Sequence, residues 1–268
     1  MPPKHHWPEL TWEDFATGEP ASWIAVLPIA AVEQHGPHLP LGVDAHIAEA
    51  YLARVLAGLP EHLPAVFLPL LVLGQSDEHL AYPGTLTLSA ETLLHTLADI
   101  GASVRRAGVR KLLIVTSHGG NWQAGELACR DLRVRLGMFA VLTSWHRLGY
   151  PAGLFTDDER IHGIHAGEIE TCLMLAARPD LVRMEKATDF ASATRSMAEQ
   201  FHHLQLARPA GFGWMTQDLN PSGAVGNAAV ATAEKGEAAL AHGARAFIEL
   251  LEDIARFDLG RLVEGPLG

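Results

Sequence analysis

The sequence is poor in the residues that would place it outside a reducing compartment or on a polyanion. It has only two cysteines, Cys129 and Cys172, and both fall in helix-like patterns. Isolated thiols of that kind read as small core residues rather than a disulfide, so a cytoplasmic setting is expected. Basic residues are also few. Twenty Lys and Arg stand against 31 Asp and Glu, a formal net charge of −11. No basic face is therefore expected for a phosphate backbone, nor a patch for anionic lipid, so neither nucleic acid nor membrane is an expected partner. The longest apolar run, LPAVFLPLLVL, is too short to span a bilayer and carries Pro64 and Pro69. The N-terminal MPPKHHWPELTWEDF has no apolar stretch after its basic start, so no secretory signal is expected. G-x-S-x-G, a P-loop and a Rossmann glycine fingerprint after the first strand are all missing. Serine-hydrolase and nucleotide-cofactor chemistry therefore lack support.

What is present alternates. WIAVLPIAA, PAVFLPLLVL, KLLIVTS and MFAVLTSW are short apolar runs bounded by turn-formers and read as buried strands. Between them HIAEAYLARVLAGL, a segment from Ser89 to about Ala107 and QAGELACRDLRVRLG read as helices. HAGEIETCLMLAARPDLV is a further helix ended by Pro179, and an alanine-rich helix runs from Asn227 to about Phe257. GQSDEHLAYPGTLTLS is expected to be a long loop. Together these predict one α/β domain over residues 1–268, with a mostly parallel sheet flanked by helices on both faces.

In such sheets ligands bind beyond the carboxyl ends of the strands. Three strands each deliver ligand-type side chains to that edge: Glu33 and His35 after the first, His118 after KLLIVTS, and Trp145 and His146 after MFAVLTS. Glu33 and His35 are two apart in an extended stretch, so both can converge on one point. Pro37 and Pro40 stiffen the turn that follows. Asp44 suits a fixed, bridging position between two ions, or the N-cap of the helix beginning near Ala45. His38 and His46 are expected at the surface or behind the ligands. In SHGGN, Gly119 and Gly120 permit close backbone approach, and Asn121 is placed to cap the next helix and aim free amides at an oxyanion. HGIHAGEIET adds His162, His165, Glu168 and Glu170. A mixed Glu, His and Asp set fits Zn²⁺, Mn²⁺ or Fe²⁺ better than Ca²⁺ or Mg²⁺, and it exceeds one tetrahedral shell.

The segments EQHGPHLPLGVDAH, EHLAYPGT, VTSHGGN, HAGEIET and GNAAVATAEKG, in that order from Glu33 to about Gly236, resemble the creatininase (creatinine amidohydrolase) family. The resemblance implies a creatininase-like three-layer sandwich and a dinuclear metal site that hydrolyses C–N amide bonds. Activities in the family include creatinine ring hydrolysis, formamide hydrolysis and mycofactocin-peptide processing. By resemblance Glu33, His35, Asp44 and His118 are metal ligands with Asp44 bridging, His165 is the proton shuttle, and the assembly is a hexamer.

One position departs from the pattern. In creatininase a metal-ligating glutamate follows the equivalent of His118 by two residues, and here that position is Gly120. Glu170 is the candidate replacement because H-A-G-x-x-E-T ends on it. Helical spacing from His165 would instead favour Glu168, unless the helix starts after Ala166-Gly167. Trp145, Gly119, Gly120 and Asn121 are the candidates for substrate contact, and Trp122 lies nearby. The expected reaction is hydrolysis of a cyclic or other small amide by water activated between two divalent metals, with His165 protonating the leaving nitrogen. A dinuclear phosphoesterase and a non-catalytic metal-binding protein are the alternatives.

Overall fold

The computed structural model describes residues 1–207 and 209–265. In chain order the elements are α1 (Trp12–Thr17), β1 (Ile24–Ile29), α2 (Val43–Gly58), β2 (Ala65–Phe67), α3 (Ala90–Arg106), β3 (Lys111–Thr116), α4 (Trp122–Leu136) and β4 (Phe139–Ser144). There follow α5 (Asp157–His162), α6 (Glu168–Ala177), β5 (Asp189–Phe190), α7 (Ala193–Gln200), α8 (Thr216–Leu219), β6 (Gly226–Asn227) and α9 (Ala233–Arg256).

Strands β1 to β4 form one fully parallel sheet in the order β2-β1-β3-β4, and β5 and β6 make a small antiparallel pair. Alternate residues of β1 serve opposite faces, as the two-residue period of a strand requires. Ile24 and Val26 join a core built with α2, α6 and α9, whereas Ala25, Leu27 and Ile29 join one built with α3 and α4. Helices thus cover both faces, which is the three-layer α/β arrangement expected.

Two boundaries differ most from the sequence expectation. The apolar run predicts a second strand through Leu73, but the strand ends at Phe67. Ile24, Val26 and Pro28 of β1, and Ala30 just past it, bond toward the β2 side, through contacts such as Leu68 N–H to Val26 O and Leu71 N–H to Pro28 O. Pro28 has no N–H to give there and Pro69 has none to return, so the ladder breaks and survives beyond as an isolated Ile29–Leu71 bridge. The alanine-rich stretch predicts a last helix from Asn227, but it begins at Ala233. Thr232 caps it by accepting from the Lys235 amide, and Gly226–Asn227 pair with β5 instead.

Candidate metal centre

The loops after β1 and β3, the loop before α3 and the entry to α6 meet at the carboxyl edge of the sheet. Glu33, His35, Asp44, His79, His118, His165 and Glu170 are all buried there. Burying this much charge is costly unless each group is paired or bound to an ion.

Hydrogen bonding on the outer sides of the rings fixes which nitrogens are bare. His35 donates from Nδ1 to the Glu33 carbonyl at 3.0 Å. His118 donates from Nε2 to the Gln75 carbonyl at 2.7 Å, and His165 from Nε2 to the Gln34 carbonyl at 2.7 Å. A neutral imidazole carries one proton, so the inner nitrogen of each ring presents a lone pair. Those lone pairs face carboxylates. Nδ1 of His118 is 3.1 Å from Glu33 Oε1 and 3.9 Å from Asp44 Oδ2. Nε2 of His35 is 3.8–3.9 Å from Glu33, Asp44 and Glu170. Nδ1 of His165 is 3.6 Å from Glu33 Oε1. Both Glu33 oxygens, Asp44 Oδ2 and His35 Nε2 lack a hydrogen-bond partner.

Lone pairs aimed at anions repel unless a cation lies between them. With metal–ligand bonds of about 2.1 Å, ligands sharing one ion stand roughly 3–4 Å apart, the spacing seen here. The residues therefore fit divalent metal. Three overlapping groups meet that geometry: Glu33 with His35 and Asp44, His35 with His165 and Glu170, and Glu33 with His79 and His165.

The same conflict shifts the titrations. Burial works against a charged His118, yet Glu33, Asp44 and Glu78 outweigh it and push the ring up to about 10. Burial raises Glu170 to about 7, although the Ala166 amide at 2.5 Å opposes this. Asp44 is held well above the usual carboxylate range by burial and then by Glu33. His35 drops to about 4 and His165 falls as well, both chiefly through burial.

Local backbone explains how Glu170 and His165 reach the site together. Helix α6 starts at Glu168, and Ala166 has a φ of 53°, a left-handed conformation uncommon for a residue with a Cβ. That turn frees His165 from the helix, so the two side chains need not share helical spacing. Glu168 is buried on another side, paired with Lys235 of α9, and does not enter the cluster.

Other expected residues lie elsewhere. Trp145, expected to contact substrate, is 1% exposed and stacks on Tyr51 with centroids 4.4 Å apart, deep in the core. Trp122 sits under the guanidinium of Arg147, 3.5 Å from the ring centroid. Asn121 caps nothing with its side chain. It is buried, accepting from the Gln75 amide at 3.0 Å and donating to the Ala30 carbonyl at 3.0 Å, so it fastens the loop that carries His79. Asp44 is not a cap either, because α2 begins at Val43 with Gly42 in the N-cap position and no side-chain cap bond. His38 is wholly buried, 3.0 Å from Thr171 Oγ1. His46 is half-buried beside Glu49, and His162 bonds Thr194.

Gly119 and Gly120 do line a cavity of about 740 Å³ that opens on the cluster, together with His118, His165, Glu170 and Trp214. A Cβ at Gly120 would collide with the His118 ring and the Gln75 carbonyl and lie 2.9 Å from Glu78 Oε1. Glu78 occupies the space that a side chain at 120 would take. Glu78 and His79, in the EHLAYPGT loop, are the site residues that reading the sequence missed. Their signal was a Glu-His pair in a long loop after an edge strand.

Similarity to known proteins extends over nearly the whole chain. The creatininase (creatinine amidohydrolase) family model matches residues 8–251. A mycofactocin precursor peptide peptidase of Mycobacterium ulcerans (strain Agy99) is 31% identical over 256 residues, covering 93% of this chain and 90% of that protein. The creatinine amidohydrolase of Pseudomonas putida is 30% identical over 250 residues, covering 85% and 89%. A crystal structure of creatinine amidohydrolase superposes with a TM-score of 0.73 at 28% identity over 96% of this chain and 100% of that one. Similar creatininase structures include a mutant of Zn–Zn type and a manganese form. The chain belongs to the creatininase family of metal-binding hydrolases.

Proposed function

We propose that this protein hydrolyses the C–N bond of a small amide, a cyclic amide such as a lactam foremost, at a dinuclear centre held by Glu33, His35, Asp44, His118 and Glu170. The observation that carries this reading is Asp44 Oδ2, buried, without a hydrogen-bond partner and 3.9 Å from the bare nitrogens of both His35 and His118. One carboxylate placed equally between two imidazole lone pairs is the arrangement of a bridge between two cations. Two Zn²⁺ or Mn²⁺ ions held by these residues would supply Lewis acidity and bring the pKa of a bound water near neutrality.

The chain's own groups provide the rest. His165 has its Nε2–H fixed on the Gln34 carbonyl, so Nδ1 is free to accept a proton at the site and pass it to the leaving nitrogen. Gly119 lines the cavity, and an added Cβ there would meet nothing within 4 Å, so this wall leaves room for a small amide. The test is turnover by the zinc- or manganese-reconstituted protein of creatinine, other lactams, formamides and short peptides, with a phosphodiester as control. The reading expects hydrolysis of a lactam or other small amide. Cleavage of peptides alone would move the substrate toward the mycofactocin peptidases, and cleavage of the phosphodiester alone would reject the amide class. The protein is further proposed to act as a cytoplasmic homo-oligomer.

A further inference from the structure

Four histidines face the centre, and three of them, His35, His118 and His165, offer it a lone pair. His79 does not follow that pattern. Its Nδ1 is 2.7 Å from the side-chain nitrogen of Gln34. The orientation of that amide is fixed independently, since its oxygen accepts from the Gly36 amide at 2.9 Å and its nitrogen donates to the Gly223 carbonyl at 2.8 Å. Gly223, at φ +83°, leaves the room the amide fills. The second N–H of Gln34 therefore points at His79, and two protons cannot share a 2.7 Å N–N contact. Nδ1 is therefore bare, accepting from Gln34, and Thr216 Oγ1, 3.0 Å from both Nδ1 and the Glu78 carbonyl, has one proton that it can give to either acceptor. The ring's one proton is left on Nε2, the nitrogen that faces the centre and lies 3.3 Å from Glu33 Oε1.

We propose that His79 is a positioning residue rather than a ligand, presenting a fixed Nε2–H 3.3 Å from Glu33 Oε1, an electrostatic contact outside hydrogen-bond geometry that biases this carboxylate toward one orientation for metal. His79 is 2% exposed, and its ring lies 4.2 Å from that of His165, so packing as well as the Gln34 bond keeps it in place. The inference rests on the metal reading above, but the proton's location stands without it. Partners behind metal ligands typically set affinity by 10–100-fold, which scales the expected effect.

The experiment is long-range ¹H–¹⁵N correlation of the histidine rings in the full chain, metal-free and after zinc addition. His79 should carry its proton on Nε2 in both states, while His35 and His118 shift on zinc addition. A proton on Nδ1, or a coordination shift at His79 Nε2, would overturn the proposal. If no ring shifts and no zinc is retained, the metal reading fails while the His79 tautomer is still decided. Zinc affinity of two variants completes the test. His79→Gln retains a donor near the Nε2 position and should stay within a few-fold of wild type, whereas His79→Leu should weaken zinc by about 10–100-fold. Equal loss in both would mark His79 as a ligand, and no loss in either would make it mere packing.

Discussion

His118 turns Nδ1 toward Glu33 Oε1 at 3.1 Å while its Nε2 is tied to the Gln75 carbonyl at 2.7 Å. In the absence of metal that contact is tolerable only if a proton occupies Nδ1. His118 in the folded chain, pushed up to about 10, lies above the ordinary value of 6.5. Its contribution to metal-free stability is thus complete below about pH 6.5 and lost as pH rises through about 10. Glu170, raised to about 7, gives up its share earlier and in the same direction, and Asp44 acts in that sense too. Thermal melts of chelated protein should fall between pH 7 and 10, and metal-loaded protein should change little over that window. A flat or rising profile after chelation would contradict this placement of the proton.

His165→Ala should leave the metal content unchanged and reduce turnover by about 10²–10⁴-fold, the usual contribution of a positioned acid or base. Elemental analysis beside steady-state kinetics decides it. Loss of metal in this variant would make His165 a ligand.

Glu170→Gln should lose one ion and most activity. Glu168→Gln should keep both ions but unfold at lower temperature, since it weakens the part-buried pairing with Lys235 at a cost of about 1 kcal/mol. Metal content and melting temperature, measured together, separate the two. The reverse pattern would place Glu168 in the centre.

Gly120→Ala is a small change with a large expected effect. The added methyl meets the His118 ring, the Gln75 carbonyl and Glu78 Oε1 at once, and the backbone carbonyl cannot swing aside. Metal affinity should drop by at least about tenfold, the scale of losing a partner behind a ligand. Unchanged affinity would show that the loop carrying Glu78 is looser than its contacts indicate.

The strand edges, and with them Glu33, His35 and His118, were readable because buried parallel strands are continuous apolar runs that end abruptly. Glu170 needed more than periodicity. Only the left-handed turn at Ala166 separates it from His165, and no residue pattern announces that a non-glycine will take φ 53°. His79 and Glu78 lie in an irregular loop fastened by long-range bonds, such as Gln34 to His79 and Asn121 to the Gln75 amide, and these connect residues 45–46 positions apart. Trp145 was misplaced because a tryptophan following a strand can turn toward the cavity or into the core, and here Tyr51 and Phe247 supply an apolar slot for it.

The most direct test of the dinuclear centre is the number of metal ions per chain in wild type and Asp44→Asn. Purified protein reconstituted with zinc or manganese should hold two ions. Asp44→Asn, which keeps the shape but weakens the bridge, should hold one or none. One ion in the wild type, or two retained by Asp44→Asn, would contradict a centre built around that carboxylate.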